Sequence, residues 1–134
     1  MDLALYNLII SSVLTTIILI TQIVNYPLFK YVKNEFITFH NDYTKRIGFI
    51  VAPIMIIEII IVSIMLIQDF ENNLVKLTAI LVSIIWLSTF CIQVPIHNQL
   101  SKADKTNLSL LTSSNWVRTI CWTVKLIISI IIFL

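Results

Sequence analysis

The side chains with the widest chemical range in this sequence are two histidines and one glutamate. His40 and His97 stand at the ends of apolar segments, and Glu58 lies in the middle of another. Two imidazoles and a carboxylate suit a single Fe or Zn ion, and two histidines alone can ligate a haem axially. Without a metal, the same side chains are suited to general acid–base catalysis. His40, Glu58 and His97 are therefore candidate catalytic residues and candidate metal ligands, with no cofactor fixed by the pattern.

A second polar group lies on one face of the last apolar segment. Four side chains recur at steps of three, four and three residues, which is the spacing of one helix face: Asn115, Arg118, Trp122 and Lys125. Arg118 is the fourth candidate catalytic residue, as a group that stabilises an oxyanion. The alternative for Arg118 is that its side chain reaches toward the membrane interface. For Lys125 and Glu58, the alternative is a purely structural ion pair.

Further polar residues are concentrated in one half of the apolar segments. Gln93 and His97 are four residues apart and share a helix face, while Pro95 between them predicts a kink that frees the carbonyl of Cys91. The other half holds almost only aliphatic residues and a few hydroxyls. This asymmetry predicts a polar cavity between the helices that faces the cytoplasm, for which we select the following substrate-binding candidates: Gln22, Asn25, Tyr43, Arg46, Gln93, Asn98, Asn115, Trp122 and Lys125.

The elements that position these residues follow from the composition. The chain has 134 residues, 58% of them hydrophobic and 12% charged, with a mean hydropathy of +0.96. Soluble domains are about one quarter charged, so a soluble enzyme is excluded. A net charge of +2 is too small for a nucleic-acid-binding protein. Four apolar segments, each about 20 residues long, are long enough to cross a bilayer as helices: residues 3–29, 47–68, 77–97 and 116–134.

The sequence therefore predicts an all-α membrane protein, a bundle of four transmembrane helices forming one domain over residues 1–134. Aromatic and polar residues at helical spacing between the first two spans predict a short amphipathic helix at the membrane interface: Phe36, Phe39, His40, Tyr43 and Arg46. The expected partners are membrane lipids and a hydrophobic small molecule, with a homo-oligomer left open.

Basic residues predict the orientation of the bundle. The middle connection has one basic residue, Lys76, beside two acidic residues. The first and third connections and the neighbouring Arg118 supply most of the basic residues, which in the connections are Lys30, Lys33, Lys45, Arg46, Lys102 and Lys105. The positive-inside rule then places these two connections in the cytoplasm and both termini outside, in a bacterial inner membrane.

Several segments together resemble a known group of proteins. They are Phe39-His40-x-x-Tyr43-x-x-Arg46, Pro53 with Glu58, Val94-Pro95-Ile96-His97-Asn98-Gln99-Leu100, and Asn115-Trp116-x-Arg118-Thr119 with Trp122. The chain resembles small uncharacterised bacterial four-span membrane proteins from about Gln22 to Trp122. It is distantly similar to the anthrone-oxygenase-like membrane family, which has comparable Pro-x-x-Asn-x-Leu and Trp-x-Arg segments. The resemblance implies four helices and oxidation of a hydrophobic aromatic compound by O₂.

Two functions of different classes remain open at this point. The first is a membrane oxidoreductase or oxygenase that acts on a lipophilic aromatic or quinone-like substrate. The second is a non-catalytic membrane module that binds haem, lipid or a partner with the same residues.

Overall fold

The computed structural model describes residues 2–102 and 107–134 of the chain, and the described residues form four long helices. Each helix is long and apolar enough to cross a membrane: α1 (Leu3–Tyr31), α2 (Phe36–Gln68), α3 (Asn73–Leu100) and α4 (Leu108–Phe133). No strand occurs within the two described ranges. The predicted all-α bundle of four helices is confirmed. Five of the eight predicted ends are extended, by 2 to 11 residues, and the other three differ by at most one residue.

Consecutive helices pack against each other, and α4 closes the bundle by packing against α1. The two helices run antiparallel, because Asn7 near the start of α1 bonds to Ser129 near the end of α4. Residues 32–35 connect α1 and α2 at one end of the bundle, where α3 also ends at Leu100 and α4 begins at Leu108; we call it the connector end. Residues 69–72 connect α2 and α3 at the opposite end, which we call the hairpin end.

The predicted amphipathic helix between the first two spans is wrong as a separate element. Residues 36–46 form about the first three turns of α2, which continues without a break to Gln68. Because the intervening sequence contains no helix-stopping signal before Gly48, the helix that begins at Phe36 simply runs on. Phe36 and His40 are buried against the bundle. The predicted third connection is also shorter, since α3 extends to Leu100 and α4 begins at Leu108.

Both α1 and α3 contain a π-helical segment that ends two residues before a proline. The segments are Thr21–Asn25, which precedes Pro27, and Thr89–Gln93, which precedes Pro95. In α3 the N–H of Val94 bonds to the carbonyl five residues earlier, at the start of the segment. A π segment adds residues to one helical turn, so it turns the following side chains relative to the preceding ones. The predicted kink at Pro95 therefore takes the form of a widened turn beside the proline.

The middle of the bundle is packed with apolar side chains from all four helices. This central cluster consists of Leu14, Ile18, Met55, Ile85, Cys121 and Trp122. Large aliphatic and aromatic residues cover the outward faces of the helices, where they are exposed in the structure. Those faces are suited to contact with lipid, while close packing and interhelical hydrogen bonds hold the bundle together.

Candidate functional site

A cavity of about 570 Å³ lies between the helices, from the central cluster toward the connector end. All four helices contribute to its mostly apolar wall. Its volume falls within the range of small-molecule binding sites. Six polar or charged side chains on the wall have the widest chemical scope: Tyr26, Tyr43, Thr89, Gln93, His97 and Arg118.

The cavity opens between α2 and α3. Its wall residues on these two helices include Ala52, Ile56 and Phe90, all of which are exposed. In contrast, its wall residues on α1 and α4 include Leu14 and Trp122, which are buried. Since the exposed wall residues lie inside apolar helices, the mouth of the cavity faces the same surroundings as the lipid-covered surface of the bundle.

Arg118 reaches the cavity from α4, and neutral groups hold it in place. The side chain is 8% exposed. Its Nε donates to Oδ1 of Asn115 at 2.9 Å, Nη1 donates to Oγ1 of Thr89 at 3.3 Å, and Nη2 donates to Oε1 of Gln93 at 3.4 Å. Asn115 is oriented in turn, because its Nδ2 donates to Oε1 of Gln22 at 2.8 Å. These contacts join α1, α3 and α4 in one polar network around the guanidinium.

Four side chains form a hydrogen-bonded chain at the connector end of the cavity. The Oη atom of Tyr26 lies 3.1 Å from Nε2 of His97, and Nδ1 of His97 lies 2.8 Å from Nε2 of His40. The Nδ1 atom of His40 lies 3.3 Å from Oγ of Ser101. We call this set the Tyr26–Ser101 chain. The Tyr26 hydroxyl also interacts with the guanidinium of Arg118, which links the chain to the polar network.

The proton positions in the Tyr26–Ser101 chain follow from its last member. The Ser101 hydroxyl donates to the backbone carbonyl of His97 at 3.0 Å, so its oxygen accepts from Nδ1 of His40. Nε2 of His40 is then an acceptor, and it receives the N–H of His97 Nδ1. Nε2 of His97 is consequently left to accept from the hydroxyl of Tyr26. This assignment satisfies every group with both imidazoles neutral, and each hydrogen bond points from Tyr26 toward Ser101.

Aromatic rings enclose the histidine pair. Phe36 stacks on His40 with ring centroids 5.8 Å apart, and Phe29 meets the same imidazole edge to face at 6.3 Å. The His40 side chain is fully buried as a result. His97 is half-buried and lines the cavity. The chain therefore has two members on the cavity wall, Tyr26 and His97, then the buried His40 among aromatic rings, and it returns to the wall at Ser101.

Glu58 and Lys125 form a buried ion pair below the cavity. The Nζ atom of Lys125 lies 3.2 Å from Oε1 of Glu58, with both side chains fully buried. The indole N–H of Trp122 donates to Oε1 of the same carboxylate at 3.1 Å. Lys125 also donates to Oδ1 of Asn7 at 2.9 Å and to Oγ of Ser11 at 2.5 Å. The ion pair is thus hydrogen-bonded on both sides, as a buried pair must be to offset desolvation.

This ion-pair network corrects one part of the sequence interpretation. Asn7, Ser11 and Ser129 lie toward the hairpin end, where only aliphatic residues and isolated hydroxyls were expected. Ser129 bonds to Asn7 at 2.9 Å and lies 3.0 Å from Ser11. Within the described ranges the bundle therefore contains two polar networks at different depths. The network around Arg118 lies on the cavity wall, whereas the ion-pair network reaches the wall only through Trp122.

The predicted His/His/Glu ligand set does not assemble in the structure. Glu58 bonds to Lys125 and Trp122, whereas His40 and His97 bond to each other. Within the described ranges, no group of three or more His, Cys, Asp or Glu side chains is placed to hold a metal ion. All four ring nitrogens of the histidines already have hydrogen-bond partners, so the arrangement does not fit axial haem ligation either.

The remaining predicted binding residues fall into different places. Asn25 donates to Oη of Tyr43 at 3.1 Å, which orients that ring on the cavity wall. Asn98 is exposed at the edge of the cavity. Arg46 is exposed and is not among the wall residues. Lys105, used above for the orientation, lies outside the described residues.

The sequence interpretation named Gln93 and His97 but missed Trp86, Thr89 and Ser101, which a regular spacing could have identified. Thr89, Gln93, His97 and Ser101 follow at four-residue steps, and Trp86 precedes them by three; all five line the cavity. A four-residue step drifts around an ordinary α-helix, but the π segment in α3 turns the later residues back onto the same face. Trp86 carries a buried indole N–H with no hydrogen-bond partner in the described part of the chain.

Comparisons with protein-family models, curated proteins and solved structures gave no significant match. The fold and the site together define a class: a four-helix membrane-spanning bundle with a side-opening, largely apolar cavity that has a polar wall. The similarity to the anthrone-oxygenase-like family stays a prediction.

Proposed function

We propose that this protein binds a lipophilic aromatic or quinone-like compound in the cavity and exchanges a proton with it. The observation that carries the proposal is the Tyr26–Ser101 chain, which runs along the cavity wall from beside Arg118 to Ser101 at the connector end. The apolar wall and the mouth between α2 and α3 support access of such a compound from the bilayer.

The proton moves along the chain in one direction. An acidic C–H or O–H of the ligand gives its proton to Oη of Tyr26, which passes its own proton to Nε2 of His97. His97 then passes the proton on its Nδ1 to Nε2 of His40, and His40 passes the proton on its Nδ1 to Oγ of Ser101. Ser101, which is half-buried, releases its own hydroxyl proton to water at the connector end. Each donor already points toward the next acceptor, so no ring needs to turn for the first transfer. The ligand is left as an anion beside Arg118, which stabilises it electrostatically.

The proposal includes the orientation of the bundle. Lys30, Lys33 and Lys45 are exposed at the connector end, as is Lys102. The hairpin end has Lys76 with Asp69 and Glu71 nearby. By the positive-inside rule the connector end faces the cytoplasm, and we place the protein in a bacterial inner membrane on this basis. The Tyr26–Ser101 chain then leads from the bilayer interior to the cytoplasmic side.

A second candidate function is oxidation of the bound compound by O₂. It is favoured by the resemblance to anthrone-oxygenase-like proteins and by the acid–base chain, because removal of a ring-carbon proton yields an electron-rich anion that can react with O₂. For anthrone the balanced reaction converts one methylene to a carbonyl and reduces O₂ to one water. The proton-exchange step is common to both candidates.

Deuterium exchange into anthrone tests the proposal. The protein in lipid nanodiscs is incubated without O₂ in D₂O, and deuterium at the methylene carbon is measured by mass spectrometry against empty nanodiscs. We expect catalysed exchange that falls about 100-fold in Tyr26→Phe and in His97→Phe. Asp42→Asn is the control, because Asp42 is exposed on α2 two residues from His40. Exchange equal to that of empty nanodiscs contradicts the proposal.

Admission of O₂ to the same samples separates the two candidates. Anthraquinone formation that depends on Tyr26 and His97 supports the second candidate. Deuterium exchange without anthraquinone supports proton exchange alone. Binding of anthrone with no exchange in any variant supports the non-catalytic binding module instead.

A further inference from the structure

The buried charges of the described residues do not balance. Three charged side chains are buried in the described ranges: Glu58, Arg118 and Lys125. Glu58 and Lys125 neutralise each other at 3.2 Å. Arg118 has hydrogen bonds to neutral side chains only, and within residues 2–102 and 107–134 no carboxylate lies within ion-pair distance of it. One positive charge therefore stands uncompensated on the cavity wall.

An uncompensated cation at this depth is costly. Charged side chains inside a membrane normally pair with an opposite charge or face water. Arg118 is 8% exposed and borders a cavity whose wall is mostly apolar. Its neutral partners orient the guanidinium and satisfy N–H groups, but they supply no negative charge. A ligand that brings one negative charge removes this cost, whereas a neutral ligand leaves it in place.

From this imbalance we infer that the cavity selects lipophilic monoanions, with an anionic oxygen bound to Arg118 and the apolar body held between α2 and α3. The inference rests on the proposed function, whose ligand becomes an anion when it gives its proton to Tyr26, and it defines the tightly held form as a phenolate or enolate on an apolar body, with a carboxylate as a stable equivalent. A guanidinium binds such oxygens with charge-assisted hydrogen bonds, about twice as strong as neutral ones.

The same chemistry is present in two sources, a soluble aromatic acid and a membrane fatty acid. Anthracene-9-carboxylate and oleate represent them as probes. Anthracene-9-carboxamide has nearly the shape of the first probe but no charge. Equilibrium dissociation constants are measured in lipid nanodiscs, with empty nanodiscs subtracted, and oleate is tested as a competitor of the aromatic acid.

We expect the wild-type protein to bind the carboxylate about tenfold or more tightly than the carboxamide. Arg118→Gln is expected to abolish this preference by weakening the carboxylate alone, and Arg118→Lys to retain most of it. The wild-type preference requires no variant, so the test remains decisive if Arg118→Gln fails to fold. If oleate competes with the aromatic acid, the site accepts both membrane fatty acids and soluble aromatic acids. If oleate does not compete, the site accepts the aromatic acid and not the fatty acid.

Other results would overturn the inference. Equal affinity of the wild-type protein for carboxylate and carboxamide contradicts it and leaves the proposed function standing. Asp104, which lies outside the described residues, provides a second check: if Asp104→Asn strengthens carboxylate binding, that side chain already neutralises Arg118 and the inference is wrong. If neither aromatic probe binds while the protein is folded, the proposed function itself fails.

Discussion

The Nε2 atom of His40 and the Nδ1 atom of His97 lie 2.8 Å apart, so the two imidazoles form a direct hydrogen bond between α2 and α3. These are the two helices between which the cavity opens. The outer nitrogens of the pair contact Tyr26 and Ser101. The pair is therefore a link in a proton chain and a tie between two helices, and none of its nitrogens is left for a metal.

This arrangement predicts that the fold does not depend on a bound metal. Dialysis against EDTA is expected to leave the thermal midpoint of the protein in detergent unchanged, since protein groups already satisfy all four ring nitrogens. Circular dichroism measures the midpoint before and after dialysis. A lower midpoint that added Zn²⁺ or Fe²⁺ restores would show that His40 and His97 are metal ligands after all.

The ion pair of Glu58 and Lys125 predicts strong coupling between the two residues. Glu58→Gln or Lys125→Met alone leaves one buried charge without its partner and is expected to cost about 3–5 kcal/mol in unfolding free energy. The double variant removes both charges and is expected to be more stable than either single variant.

Detergent unfolding of all four proteins gives the coupling energy of the Glu58–Lys125 pair. Glu71→Gln and Lys33→Met serve as matched controls, because both side chains are exposed. A double variant that loses the sum of the two single losses would show that the residues act independently.

The sequence predicted the parts of the fold that depend on local composition. The lengths of the apolar segments identified all four helices, and the spacing from Asn115 to Lys125 placed these side chains inside the bundle. The interfacial helix was wrong because polar and aromatic residues 36–46 differ in composition from residues 47–68, although nothing between them stops a helix. The composition of a segment indicates whether it contacts lipid or water. The residue at which a helix ends depends instead on capping residues, glycine and proline.

The candidate site was less predictable because its partners are chosen in three dimensions. The spacing of Gln93 and His97 indicated one face of α3, but the direct bond between His40 and His97 requires α2 to begin at Phe36. Similarly, Glu58 was equally compatible with the histidines and with Lys125, and only the relative depths of α2 and α4 decide between them. The π segment in α3 has no local signal except the proline that follows.

Substitutions of Gly48 test whether ligands enter the cavity through the mouth between α2 and α3. It lines the cavity on α2, and a Cβ atom added there meets no atom within 4 Å. Gly48→Ala is expected to stabilise the helix by about 0.5–1 kcal/mol and to leave binding of anthracene-9-carboxylate unchanged. Gly48→Phe fills the open space and is expected to weaken that binding. Equal affinities of both variants would place the access route elsewhere.

The proposed orientation is tested by cysteine labelling. In a Cys91→Ser background, Lys33→Cys at the connector end and Glu71→Cys at the hairpin end are exposed positions. A membrane-impermeant maleimide added to intact cells is expected to label the Glu71→Cys variant and not the Lys33→Cys variant, because the basic connector end faces the cytoplasm. The reverse pattern would invert the bundle and the direction of the proton chain.

The central claim is that the cavity binds a lipophilic oxygen-bearing compound between Arg118 and the Tyr26–Ser101 chain. An experimental structure of the protein with anthracene-9-carboxylate tests this claim most directly. We predict the aromatic rings between α2 and α3 and a carboxylate oxygen within about 3.2 Å of a guanidinium nitrogen of Arg118. A probe bound outside the cavity, or inside it with its carboxylate turned away from Arg118, would contradict the account.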